Sequence, residues 1–491
     1  MAFGHTLNSR LVALTTLVVA VFGVATCPSL SLADSPNSVA KSTATDEEQR
    51  RPDRQQEEEY YELIKLFADV MDQVERNYVK EVSRRDLMEA AVRGVITKLD
   101  PYSNYISPDE FDRFKSGVEN EFGGIGIQVT VEDGHLKIIS PLVGSPAYRE
   151  GLMAGDRIIK IAGQGTKGIT LDEAVKKLKG KVGTKVEFTV YHPADGSTKQ
   201  VALVREIVKV ASVLGHERND DDSWDFMIDP EKKIGYIRVT AYSRNTTQEL
   251  KDALKQLKKD GMRGLVLDLR FNPGGLLSAA IEVSDLFISS GRIVSTEGRN
   301  APSRQWDARK DGTFEGFPMA VLVNRYSASA SEIVSACLQD HDRAIVIGER
   351  TWGKGSVQNI IELEHGRSAL KLTTAGYQRP SGKNIHRFPD AGEDDDWGVS
   401  PNKGFIIKTS PDENSALMKQ QRDTFIVAAK DEGNDEPGKD DTEEETEAAP
   451  FVDRQLKAAL EHLTKELGDA GDEEEEEEKA DEPELQEVKP A

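Results

Sequence analysis

Residues 319–363 read MAVLVNRYSASASEIVSACLQDHDRAIVIGERTWGKGSVQNIIEL, and the order of the apolar runs in them decides the fold. MAVLVN (319–324) has the length and near-continuous apolarity of a buried strand, SASASEIVSACLQD opens a helix near Ser329 or Ser331, and RAIVI (343–347) is a second strand. Strand, tight joint, helix and strand again is the repeating unit of an α/β fold around a parallel sheet. Gly348 to Lys354 then match G-x-x-x-x-G-K, the first seven positions of a phosphate-binding loop. The next residue excludes that reading. Gly355 stands where Ser or Thr must hold Mg²⁺, and SVQNIIEL continues as a β-branched strand in place of the helix whose amides would cradle phosphate. Nucleotide binding is therefore not expected, and Lys354 needs another explanation.

The same unit recurs upstream. GLVLDLR (264–270) is an apolar strand, NPGG (272–275) a turn and LLSAAIEVSDLFI a helix, which sets the amides of Gly274 and Gly275 at or near a helix N-terminus. The joint after MAVLVN would present Ser329 at another helix start, where unpaired amides and the positive dipole end stabilise an anion. A serine there is ordinarily a cap, and it becomes a nucleophile only if a base takes its proton. His341 is nearest in sequence, but the intervening helix would hold it about 18 Å away. The other histidines form no i, i+4 pair, so an H-E-x-x-H zinc site is missing, and no G-x-S-x-G elbow occurs. Lysine can replace histidine if burial lowers its pKa from about 10.4 toward 7, because desolvation disfavours the ammonium. The Ser-Lys pair is an established variant of the triad logic, and the Gly-bounded turn after RAIVI can return Lys354 to the helix start.

Nearer the N-terminus, Leu63, Phe67, Val70 and Val74 recur at helical spacing, and Leu87, Ala91, Val95 and Leu99 repeat the pattern, so two packing helices are expected. LDPYSNYISPDEF carries the breakers Pro101 and Pro108, with Ser107 as the cap of a short helix. From Phe122 the texture changes to short strands: GIGIQVTVEDGHLKIISPL alternates around the Asp133-Gly134 turn, and two helices and a closing strand follow. FGGIGIQV and GSPAYREGLMAGDRIIKIAG together resemble a PDZ domain, its carboxylate-binding loop and its central signature. The amides of Gly124, Ile125 and Gly126 can form an anion nest, and the following strand edge can accept an extended peptide. The expected tail-binding residues are Gly123, Gly124, Ile125, Gly126 and Ile127.

VLVNRYSASASEIVSACLQDHDRAIVIGERTWGKGSVQ is similar to the active-site region of the C-terminal processing peptidases, or tail-specific proteases, a resemblance that extends over residues 60 to 400 or so. It implies that Ser329, the middle serine of SASAS, is the nucleophile, Lys354 the general base and Gln358 the residue that orients the lysine. It also implies an oxyanion hole made by the amide of Ala330 and that of Gly274 or Gly275. Ser327 would then be a neighbouring backbone element and Ser331 a local cap. Trp352, where many relatives carry Phe, and Arg379 before Pro380 depart from the common pattern and bear on substrate preference.

The ends of the chain differ from its middle. MAFGHTLNSR, the apolar run LVALTTLVVAVFGVA and SLA ending at Ala33 fit a secretory signal peptide at 1–33, with a retained anchor as the alternative. VATC resembles a lipoprotein box at Cys27, although Thr26 is a poor residue before it. Only Cys27 and Cys337 exist, so no disulfide supports the mature chain. Residues 431–491 hold 25 Asp and Glu against 6 Lys and Arg, or −19 of the net −23, so no basic face for nucleic acid is left elsewhere. The expected organisation is multidomain α/β: a linker at 34–56, an N-terminal helical region at 57–118, a PDZ domain at 119–210, an α/β peptidase core at 211–430, and a disordered acidic tail at 431–491 with a helix at 451–467. The expected function is that of an exported serine endopeptidase, periplasmic or membrane-associated, acting on protein or peptide substrates with free C-termini, with no metal or other cofactor. An oligomer is compatible with this reading. The competing class is a catalytically silent PDZ scaffold that binds tails without cutting.

Overall fold

The computed structural model describes residues 54–111, 114, 121–426 and 451–480. The expected leader, Cys27 and all of the linker before residue 54 lie outside them. Residues up to Arg84 form one unit and those from Arg85 onward a second. In the first, α1 (Arg54–Asn77) has the predicted periodicity, but Leu63, Phe67 and Val70 are 59, 39 and 51% exposed. In α2 (Arg84–Ile96) only Ile96 is buried, while Val95, and Leu99 in the turn after the helix, face solvent. Among the described residues these side chains are uncovered, whereas Val74, Leu87 and Ala91 are half-buried: periodicity fixes which face is apolar without supplying a surface to cover it.

The second unit carries a short strand, β1 (Asn104–Ile106), and then the β-rich domain. Its strands are β2 (Glu121–Gly124), β3 (Ile127–Glu132), β4 (His135–Pro141) and β5 (Arg157–Ile161); after α3 (Leu171–Leu178) come β6 (Lys185–Tyr191), β7 (Thr198–Val204) and β8 (Glu206–Lys209). The antiparallel order is β3–β4–β5–β6–β7, which leaves β3 at an edge, and β2 pairs separately with β8. Asp133 and Gly134 both take positive φ, 52° and 71°, as a two-residue turn matched to strand twist requires. Thr170 and Glu173 exchange hydrogen bonds at the start of α3, a capping box contributing about 1 kcal/mol. Ala174 and Leu178 on its inner face are buried with Ile125, Leu136, Ile158 and Phe188.

The core is built on a second sheet. Its elements are β9 (Val213–Leu214), β10 (Ile234–Val239), α4 (Thr246–Lys259), β11 (Gly264–Asp268), α5 (Leu277–Asp285), β12 (Arg292–Glu297), β13 (Met319–Val323), α6 (Ala330–Asp340) and β14 (Ile345–Gly348). They are followed by β15 (Ser356–Leu363), β16 (Ser368–Gln378), α7 (Pro411–Asp423) and α8 (Arg454–Ala480). The strand order is β9–β10–β11–β13–β14, parallel from β10 onward, with Leu267 opposite Val321 and Val321 opposite Val346. Alternate residues serve the two faces. Leu265, Leu267, Val321 and Val346 pack with residues of α4, α5 and α6, whereas Val266, Ala320, Leu322 and Ile347 pack with Ala459 and Leu463 of α8. The helix runs on through the glutamate run to Ala480, glutamate being a good helix former. A further sheet joins β1, β16 and β12, with β15 also on β16. The turns after β11, β13 and β14 all leave the carboxyl ends of parallel strands, where open α/β sheets place their sites.

Candidate active site

Side-chain to backbone hydrogen bonds stitch the first two of these turns together. Asn324 Oδ1 accepts from the amides of Phe271 (3.0 Å) and Tyr326 (3.1 Å), and Ser327 Oγ donates to the Leu269 carbonyl at 2.8 Å. The Asn272 carbonyl accepts from the Ala328 amide and from Ser331 Oγ, both at 3.0 Å. Ser331 therefore bonds across to the neighbouring turn and is not the local cap expected from its position: the NPGG turn lies close enough to compete for its hydroxyl. These bonds place Ser329 beside Gly274. A Cβ on Gly274 would lie 2.8 Å from the Ser329 Cβ and 2.9 Å from the Ala330 nitrogen, so only glycine permits the approach.

Ser329 itself is 7% exposed and holds φ 58°, ψ −111°, a conformation sparsely populated by non-glycine residues and one met at functional sites. The Gly274 amide is already bonded to Asn272 Oδ1 at 2.9 Å. The amides of Gly275 and Ala330 make no hydrogen bond among the described residues.

The third turn is brought to the same place by a residue that the sequence reading missed. The carboxylate of Glu332, fully buried on the first turn of α6, accepts from the Ser329 amide (2.7 Å) and the Lys354 amide (2.8 Å) at Oε2. At Oε1 it accepts from Thr351 Oγ1 and the Gly353 amide, both at 2.6 Å. Burial raises its pKa above the usual carboxylate range, against the pull of those four donors. The Ser-x-x-Glu spacing of a capping box was the available signal.

Lys354 is half-buried, and its pKa lies below the usual lysine value, first through burial and then through the nearby charge of Lys371, with Glu332 opposing. Its Nζ lies 5.3 Å from the centre of the Tyr102 ring. Lys354 makes no side-chain hydrogen bond to Ser329 or Gln358; such pairs are often loose before substrate arrives. Gln358 gives its amide hydrogens to Ser356 Oγ (2.8 Å) and Thr373 Oγ1 (3.3 Å), which leaves its oxygen free to accept. Beside Gly355 and Ser356 opens a cavity of about 420 Å³, walled also by Thr373, Tyr377, His386 and Phe388. His341 lies at the far end of α6, its ring against the Arg292 carbonyl. Cys337 is buried, and burial pushes its thiol up to about 12, so among the described residues no thiolate competes as nucleophile.

In the β-rich domain, Gly123 and Gly124 lie in the β2–β8 ladder, while Ile125 and Gly126 form the turn into β3. The last two amides make no hydrogen bond among the described residues. Ile127 begins β3, whose free edge faces α3 across a narrow cleft lined by Phe122, Val129, Val175 and Leu178. Lys179 also lines it, its Nζ 4.2 Å from the centre of the Phe122 ring, and brings a positive charge that the motif did not announce. Elsewhere His216, Glu217 and Asp225 bring three ligand-type atoms within 4.8 Å of one another, away from the residues described above.

Comparison with known proteins agrees with this division. Peptidase family S41 matches residues 233–399, the PDZ domain residues 115–191, and the N-terminal domain of the activating protease CtpB residues 25–110. A carboxy-terminal-processing protease of Bartonella bacilliformis is 39% identical over 353 residues, covering 71% of this chain and 76% of that protein. Carboxy-terminal processing protease CtpA of Bacillus subtilis is 36% identical over 318 residues, covering 64% of this chain and 65% of that protein. The carboxyl-terminal-processing protease of Synechocystis is 34% identical over 319 residues, 64% of this chain and 72% of that protein. Among solved structures, the photosystem II D1 C-terminal processing protease aligns with 74% of this chain and 97% of its own, at 27% identity and a TM-score of 0.40.

Proposed function

Because the chain belongs to the carboxy-terminal processing proteases of peptidase family S41 and carries a PDZ domain, we propose that it cuts peptide bonds with a Ser329–Lys354 pair. The observation that carries this reading is Glu332 Oε2, a single buried atom to which the backbones of both residues are bonded. Burial disfavours the ammonium form of Lys354, and as the free amine it takes the Ser329 proton as Oγ attacks the scissile carbonyl and returns it to the leaving amine. A water then attacks the acyl-enzyme carbonyl, giving a proton to Lys354, and Lys354 passes that proton to Ser329 Oγ as the ester bond breaks and the acid product leaves. The oxyanion of each tetrahedral intermediate faces the amides of Ala330 and Gly275; the Gly274 amide is spent on Asn272, which favours Gly275 of the two candidates. Gln358, its nitrogen held by Ser356 and Thr373, offers its oxygen to the lysine.

Substrate tails are selected at the cleft between β3 and α3. The amides of Ile125 and Gly126 receive the terminal carboxylate, Lys179 supplies charge, and the tail adds a strand to the edge of β3. The N-terminal apolar run supports export, which fractionation of cells and sequencing of the mature N-terminus test.

The full chain should cleave an unfolded protein with a free apolar C-terminus. Ser329→Ala and Lys354→Ala should each abolish cleavage while tail binding persists. A parent protein that binds such tails and never cuts them would be a scaffold, and a Ser329→Ala protein that still turns over would place the nucleophile elsewhere.

A further inference from the structure

The Lys354 amine has one aromatic neighbour in the described chain, and it comes from outside the catalytic turns. Tyr102 belongs to the DPYS loop after α2, far from Lys354 in sequence, and its ring faces the amine at 5.3 Å. The loop is unusually well held. Asp100 Oδ1 accepts from the amides of Tyr102 (2.7 Å) and Ser103 (2.8 Å), and Oδ2 from Ser103 Oγ (2.8 Å). Thr373 Oγ1 donates to the same carboxylate at 3.2 Å and lies 3.3 Å from Gln358 Nε2, so the loop is tied to the strand that holds Gln358. On its other sides the Tyr102 ring meets His386 edge-on, and its hydroxyl accepts from Trp352 Nε1 at 3.3 Å.

We propose that Tyr102, fixed by Asp100, is a positioning residue for Lys354, its ring closing the amine off from water. This rests on reading Lys354 as the base. The charged or titratable groups around the amine are Glu332 from α6, Lys371 from β16, and His386 and Asp100 beyond the ring. Two effects of the ring oppose each other. Its negative face favours the ammonium, weakly at this distance, whereas its bulk denies the ammonium water. At 5.3 Å the ring face returns little of the hydration that its bulk removes, so exclusion of water is the larger effect.

The test compares Tyr102→Ala, which admits water, with Tyr102→Leu, which keeps the site dry without a π face. In the full chain, competitive acetylation of Lys354 by acetic anhydride across pH, read by mass spectrometry, reports the amine directly; kcat/KM against pH reports the reaction. For Tyr102→Ala both midpoints should rise by about one pH unit, so that activity lost near neutrality returns in alkali. For Tyr102→Leu both should stay at or below the parent value. An unchanged acetylation midpoint in the alanine variant, or an upward shift in the leucine variant, overturns the proposal. If the alanine variant does not fold, the leucine variant alone still decides by the sign of its shift. An acetylation midpoint that moves while the rate profile stays fixed overturns instead the assignment of Lys354 as base.

Discussion

Ser329 and Lys354, separated by a helix and a strand, donate their backbone amides to the same oxygen of Glu332, at 2.7 and 2.8 Å. A carboxylate is suited to this because it accepts at both oxygens and donates at neither. The register between the two turns therefore depends on one buried, fully occupied acceptor.

Glu332→Gln keeps the shape of that side chain and turns one acceptor into a donor. Whichever way the amide lies, two of the four donors, from Ser329, Lys354, Thr351 and Gly353, would face an NH₂ group. Stability should fall by roughly 2 to 4 kcal/mol, and kcat by on the order of 100-fold with KM little changed, since the turns shift while the tail cleft does not. Denaturation and steady-state kinetics on one preparation check this, and an unaltered kcat would remove Glu332 from the account.

The pH dependence has a definite sign. Burial, with Lys371 assisting, holds the Lys354 pKa below its usual value, and in the proposed mechanism the working base is the free amine. Accordingly kcat/KM should climb as pH rises through that lowered pKa, with one proton lost on the limb. Chelators should leave the rate unchanged. Activity lost to a chelator and restored by zinc would sink the Ser-Lys mechanism.

Tail recognition should act far from the scissile bond. Amidating a substrate's C-terminus removes the anion that the Ile125 and Gly126 amides and Lys179 would meet. The loss should be on the order of tenfold or more in kcat/KM, through KM if the PDZ domain only tethers and through kcat as well if occupancy switches the enzyme on. Lys179→Gln should shrink the difference between free and amidated peptides. Equal cleavage of both peptides by the parent would dismiss tail charge as the selection rule.

The second face of the core sheet depends on α8. Arg270, fully buried on the turn after β11, pairs with Asp268 at 2.6 Å and with Asp453, just before α8, at 2.8 Å. Asp453→Ala leaves that guanidinium short of a partner and should lower stability by about 3 kcal/mol. Chemical denaturation measures it; a variant as stable as the parent would mean that α8 is held by its apolar contacts alone.

The sequence by itself determined the strand–helix–strand order and the glycine signature of the PDZ domain, and it nominated Ser329, Lys354 and Gln358, because local periodicity and short motifs carry that information. It also marked the apolar stripe of α1, but not its exposure, since a period names a face and says nothing of what covers it. Gly274 and Gly275 were equivalent in the motif; only the hydrogen bond from Gly274 to Asn272 separates them. Tyr102, Asp453 and the reach of Glu332 to the Lys354 turn became visible only in three dimensions; the capping-box spacing marked Glu332 as no more than a partner of Ser329. Each acts on residues whose place beside it is set by parallel-strand register or by a returning segment, and a buried carboxylate or a covering ring has no periodicity of its own. Their physical roles lie in burial and hydrogen-bond saturation, quantities that exist only once the chain is packed.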